Sequence, residues 1–504
     1  MSRTISLLAA LALTIAGAAT NVARADAGAN AANSKPSTIG TETLNPAPDA
    51  VSKHEIEVGG HRIAYSTTAG TLPLRDDDGK ITAHIFYTAY TTDVASAPRP
   101  VTFVFNGGPG AASAFLHIGA LGPRVIAFNE KGSAALHPIH LANNNDTWLK
   151  FTDLVFIDPV GTGYSRGVGP KDTIKDKFFG IDKDAESMSE FARLYLTRTS
   201  RLLDPVFLAG ESYGGFRTIL VARRMLHSGF DVRGVVLISP VIEFSLIRGD
   251  ALAILPIALS LPSIACAHTE IETGMSPDAG MVAEIEAFAR GRYIGHLAAG
   301  IRDDTQVNET LARFTGLPVD RIAHHHGRVS VADFTKAFRQ SQDRALSLYD
   351  GSVSVALPVP ANRHHSDPIL DYAVSVLSPA FAAYARDELG YATDLAYELL
   401  NRKVNEEWDF GSSPQRQGYA GALDDLQEAR TQRPSLRILI AAGYTDLVTP
   451  FAVSRYLIDQ MTPIAGSIPV QMKVYPGGHM MYLRAPSRAA LAADARAQYA
   501  DAMR

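Results

Sequence analysis

Five short, nearly all-apolar runs punctuate the chain, at residues 101–105, 154–157, 206–208, 235–238 and 438–441. Runs this short and this free of polar alternation suit strands covered on both faces, as in a parallel sheet. Helical patterns separate several of them, at 183–196 and at 216–226, the second closed by Gly229 as its C-cap. Strand alternating with helix predicts an α/β protein, a mostly parallel sheet with helices on both faces. Residues 54–65 and 80–90 instead alternate apolar with polar about a glycine turn, which predicts antiparallel strands at a sheet edge. The alternation breaks over residues 244–415, a mainly helical stretch with a loop-rich part at 353–368, and this predicts a cap inserted into the core. Strands resume near Ile438 and at 470–475, and an Ala- and Arg-rich helix is expected over 486–503. The core is therefore read as residues 51–243 and 416–504, interrupted by the cap.

Charge and composition narrow the classes of partner. The formal net charge is −5 with no basic stripe, which argues against nucleic acid, whose binding requires concentrated Lys and Arg. Arg3, an apolar run over residues 5–19 and Ala23-Arg24-Ala25 have the layout of a secretory signal peptide over residues 1–25. Cleavage after Ala25 would start the mature chain at Asp26 and send it to the periplasm or outside the cell. No later segment is expected to be long and apolar enough to cross a bilayer, so no stable membrane insertion is expected after signal removal. Residues 26–50, rich in Ala, Asn, Ser, Thr and Pro, read as a flexible lead-in. Cys266 is the single cysteine, so no intrachain disulfide can form, and its apolar neighbours predict a buried small residue rather than a reactive thiol. His324-His325-His326 and His364-His365 lack nearby cysteines and have few acidic neighbours; polar loop is expected there, with no metal.

The run at 206–208 leads into Gly210-Glu211-Ser212-Tyr213-Gly214, and a helical pattern follows. A serine projecting from a sharp strand-to-helix turn needs flanking glycines, because a Cβ there would collide with neighbouring strands. Ser212 is the candidate nucleophile. Such a nucleophile needs a base, and the base an orienting carboxylate. Asp446, in Gly443-Tyr444-Thr445-Asp446, and His479, in Gly477-Gly478-His479-Met480, each follow a predicted strand, where sites in such sheets lie. The order Ser212, Asp446, His479 is that of α/β-hydrolases and differs from the chymotrypsin and subtilisin orders. Asn106-Gly107-Gly108-Pro109-Gly110 follows another strand and lacks the ending of a phosphate-binding loop. It nominates the Gly108 amide, with that of Tyr213 after the nucleophile, as the oxyanion hole.

Together, residues 106–110, Asp158-Pro159-Val160-Gly161-Thr162-Gly163-Tyr164-Ser165, residues 210–215, Asp446 and Gly478-His479-Met480 resemble the serine carboxypeptidase family. The resemblance implies an α/β-hydrolase fold with a helical cap, acyl-enzyme chemistry without a cofactor, and removal of C-terminal residues from peptides. It also implies that Asn106 and Glu211 hold the substrate's terminal carboxylate. The chain departs from the family pattern at Ala120, where a second glutamate is usual, and at Ala111, where a cysteine is common. Glu211 is therefore expected to stand without a second carboxyl. An esterase or acyltransferase using the same three residues is the alternative, and a binding protein that has lost turnover is disfavoured because every catalytic residue type is present.

Overall fold

A computed structural model describes residues 46–92, 99–248, 252–356, 367–411 and 420–504. The expected signal peptide, the lead-in up to residue 45, His364-His365 and most of the loop-rich part of the insertion lie outside these residues. Strands β1 (Ala50–Val58), β2 (His61–Arg75) and β3 (Ile81–Thr92) form an antiparallel meander. The expected glycine turn falls at Gly59-Gly60, both at positive φ, and β2 runs past the expected end at 65 to Arg75. Residues 66–75 mix small polar residues with Gly and Pro and so carry no alternation; they are strand because β3 pairs with them throughout and β1 with residues 66–69.

The five apolar runs become β4 (Val101–Phe105), β5 (Asp153–Ile157), β6 (Val206–Glu211), β7 (Val232–Ile238) and β8 (Arg437–Gly443), and the expected strand at 470–475 is β9 (Gln471–Tyr475). Their order across the sheet is β1-β2-β3-β5-β4-β6-β7-β8-β9, parallel from β5 to β9. Every residue of β4, β5 and β6 is buried, which is why these strands read as unbroken apolar runs. Alternate residues serve opposite faces. Phe103, Phe105, Val206 and Leu208 join one core with helices α1 (Ile181–Arg198), α2 (Tyr213–His227) and α5 (Leu423–Gln432, numbered after two helices described below), whereas Val104, Phe207 and Ala209 join the other. Helix α2 is capped at Ser228, and Gly229, the expected cap, follows at φ +83°, taking the left-handed conformation just beyond the end.

Between β7 and β8 the chain is mainly helical. It begins with α3 (Ile254–Thr273) and, after several short helices, reaches α4 (Pro368–Asp387). Helix α3 corrects the expectation that no later segment is long and apolar enough to cross a bilayer, since by length and composition it could. It is apolar for another reason: Ile257, Leu261 and Ile264 are buried against Tyr293, Leu311 and Phe334 in a third core. Helix α4 packs with α7 (Ala485–Ala502) into the second core of the sheet, while α6 (Phe451–Gln460) follows β8. Cys266 lies on α3, fully buried, and burial pushes its thiol pKa well up.

Candidate active site

Register puts the carboxyl ends of five strands side by side. Phe105 pairs with Gly210, Glu211 with Ile238, Ile238 with Ala441, and Gly443 with Tyr475. The residues that follow these positions therefore meet along one edge. Ser212 sits there at φ +60°, ψ −125°, between β6 and α2, and is partly buried. A non-glycine residue is held in so sparse a region only when its surroundings over-determine it. Here the Ser212 amide donates to Ile238 O at 2.9 Å, and Ser212 O accepts from Gly215 N at 2.9 Å and Val241 N at 3.1 Å. A Cβ on Gly210 would stand 2.1 Å from Gly214 O, and one on Gly214 2.8 Å from Asn106 O, so both glycines are required by close approach.

His479 follows β9 and Asp446 follows β8. His479 Nδ1 lies 2.8 Å from Asp446 Oδ2, with both side chains buried. Asp446 is also a turn residue, since its Oδ1 accepts from Val448 N at 2.8 Å and Thr449 N at 2.9 Å. The Thr449 hydroxyl donates to Asp446 Oδ2 at 2.6 Å, a contact no local pattern announced. Burial resists charging of the imidazole, but the charge and hydrogen bond of Asp446, with Glu211 and Asp367 behind them, hold its pKa above the usual histidine value.

Ser212, His479, Asn106, Gly108 and Glu211 all line one small cavity of about 40 Å³. A larger cavity of about 760 Å³ lies between the insertion and the acid loop, where Leu447, Val448 and Pro450 face His325, Arg328 and Val331. No side chain of Ser212, Asp446 or His479 lines it, so the chemistry belongs to the smaller one. Gly108 is at φ +97°, and a Cβ on Gly107 would stand 2.7 Å from Tyr213 N, which brings the glycine loop against the start of α2. As the first helical residue, Tyr213 has no intrahelical acceptor for its amide. The Asp158 to Ser165 motif braces this loop from below: Asp158 Oδ1 accepts from Ser113 N at 2.8 Å and Ser113 Oγ at 2.7 Å.

Glu211 is fully buried beside the serine. Its Oε2 accepts from Asn106 Nδ2 and its Oε1 from the Tyr482 hydroxyl at 2.8 Å. Glu211 therefore has a phenol as partner where a second carboxyl was the expected comparison, and Tyr482, three residues past the histidine, carried no signal in the sequence. Burial drives the Glu211 pKa up; His479, Tyr482 and Asn106 oppose this and Asp446 adds to it, leaving it at about 7. Asn106 is held in turn: its Oδ1 accepts from Leu116 N at 3.1 Å and its carbonyl from Arg217 Nη1 at 2.5 Å, while Arg217 Nε reaches buried Asp184 at 2.6 Å.

A doubly covered sheet in this strand order, bearing a serine, an acid and a histidine after β6, β8 and β9, defines the α/β-hydrolase class. Residues 62–239 match the family model described as "Serine carboxypeptidase". The match ends at Ser239, so Asp446 and His479 are brought to the serine by geometry independent of it. Serine carboxypeptidase-like 51 of Arabidopsis thaliana is 32% identical over 140 residues, 26% of this chain and 27% of that protein. Carboxypeptidase Y homolog of Arthroderma benhamiae is 30% identical over 33% of this chain and 32% of that protein. Pheromone-processing carboxypeptidase KEX1 of Phaeosphaeria nodorum is 29% identical over 30% and 22%. The matched stretch thus spans about a third or less of these relatives' lengths.

Proposed function

We propose that the protein is a serine-type carboxypeptidase that removes C-terminal residues from peptides through an acyl-enzyme. The observation that carries this reading is the buried His479–Asp446 pair in the same cavity as a serine at φ +60°. In the proposed reaction Ser212 Oγ attacks the scissile carbonyl as His479 takes its proton. Asp446 fixes the imidazole tautomer and balances the charge it acquires. The Gly108 and Tyr213 amides bind the oxyanion, and His479 passes the proton to the leaving amine. Water, activated by the same imidazole, then releases the peptide and restores Ser212. Asn106 and Glu211 are the proposed contacts for the terminal carboxylate. The chemistry uses side chains, backbone amides and water.

Ser212→Ala should lower turnover of a blocked dipeptide by roughly five to six orders of magnitude and abolish fluorophosphonate labelling, with the fold intact by circular dichroism. A folded Ser212→Ala variant with near-normal turnover would show that another group is the nucleophile. Ala120 in place of a second carboxyl is the observation that favours the other reading, an esterase or acyltransferase, which a short-chain ester assayed beside the dipeptide separates. Export to the periplasm or beyond, after removal of residues 1–25, is the proposed route, supported by the charged start, apolar run and Ala23-Arg24-Ala25.

A further inference from the structure

Loops bearing a catalytic acid and base need an anchor beyond the strand and helix at their two ends if the side chains are to keep a hydrogen-bonding geometry. The anchor comes from the insertion. Residues 347–352, which precede α4, lie directly across both loops. Tyr349 O accepts from the backbone N of His479 at 2.6 Å, and the Tyr349 ring meets the His479 imidazole edge-on at 5.0 Å. On the acid side, Leu447 N donates to Leu348 O at 3.0 Å and Gly351 N to Thr445 O at 2.8 Å, bonds that flank Asp446. The approach is close enough that a Cβ on Gly478 would stand 1.9 Å from Tyr349 O.

A buried ionic cluster fastens the turn in place. Arg484, on the base loop five residues past His479, donates through Nη2 to Asp350 Oδ2 and through Nη1 to Glu270 Oε1 of α3, each at 2.8 Å. Asp350 Oδ1 accepts from the Thr445 hydroxyl at 2.6 Å, so one carboxylate bonds to both the acid loop and the base loop. Arg484, Asp350 and Glu270 are all buried. Desolvating three charges is costly, and the cost is offset only where the geometry is exact and the pairs are complete. A cluster placed between the two loops, rather than within the hydrophobic core of the insertion, serves the loops.

We infer that the 347–352 turn, clamped by Arg484 and Asp350, is a positioning element that sets the relative placement of His479 and Asp446. This rests on the triad reading given above. None of its charged members lines the cavity that holds Ser212; they act through the backbone of the two loops. The clamp should therefore show in the chemical step rather than in substrate binding.

The test compares Arg484→Met, Arg484→Lys and Thr445→Val with the full-length parent, well below each variant's melting temperature. For Arg484→Met, kcat should fall roughly tenfold to a hundredfold with KM within about threefold of the parent. Arg484→Lys, which keeps a charge able to reach one carboxylate, should recover part of that loss. Thr445→Val removes only the hydroxyl to Asp350 at nearly equal volume, and should lower kcat about threefold to tenfold; it decides the matter if Arg484→Met does not fold. Parent-like kcat in folded Arg484→Met, or in Thr445→Val, overturns the inference, as does a loss confined to KM. Ser212→Ala measured alongside separates the two levels: if it stays active the triad reading fails, whereas if it is dead while the clamp variants are unimpaired, only the clamp fails.

Discussion

Glu211 stands one residue before the serine with both carboxyl oxygens already accepting, from Asn106 and from Tyr482. With a pKa near 7 it is mostly protonated in mild acid and mostly ionised above neutrality. Only the protonated form has a hydrogen to offer a substrate carboxylate; the ionised form repels it. His479 works in the opposite sense, since it must be neutral to act as a base and its pKa is raised. The two groups sense each other, so peptide activity should follow the titration of the pair, rising with His479 deprotonation and falling as Glu211 ionises. A neutral ester should show the rise without the fall. Glu211→Gln keeps a donor at every pH and should remove the alkaline fall for the peptide, as initial rates from pH 5 to 9 would show. Coinciding peptide and ester profiles, unchanged in the Gln variant, would remove Glu211 from carboxylate recognition.

The turn from β6 into α2 is the element on which the site depends most, and its Gly214 differs sharply from Gly295, on a short helix of the insertion, in what it allows. Gly214→Ala would drive a Cβ into the Asn106 and Phe105 carbonyls at 2.8 Å, both backbone atoms that cannot swing aside. It should cost about 1–3 kcal/mol of stability and slow fluorophosphonate labelling, because α2 must move away from the glycine loop. Gly295→Ala, with nothing within 4 Å of the new methyl, should leave both measurements unchanged or gain slightly in stability. Elements of this kind are legible in a sequence because their requirement is local: a strand run, a glycine, a serine, a glycine. The central parallel strands were equally legible, as their burial on both faces leaves hardly a polar residue in the runs. What escaped depends on partners far along the chain. β2 past Tyr65 has no pattern of its own, α3 looked like any helix until its neighbours were seen, and Tyr482, Thr449 and Arg484 gain meaning only once the loops that carry them are brought to Glu211, Asp446 and Asp350.

At the scale of the molecule, a chain with a single buried cysteine has no disulfide to lean on, and residues 45–504 form one compact unit around a doubly covered sheet. Such a protein needs no oxidising compartment to reach its native state. If residues 1–25 are the export signal, intact-mass spectrometry of the exported form should show Asp26 at its N-terminus. Met1 still present on protein recovered from the membrane fraction would refute the cleavage. The strand order has one more effect, on timing. Ser212 leaves the ribosome early, on β6, but β8 and β9 are the last strands to be made, and with them come the acid and the base. A nascent or truncated chain that lacks β9 therefore presents a serine with no imidazole beside it, so chemistry through the proposed triad waits on the last strand of the described sheet.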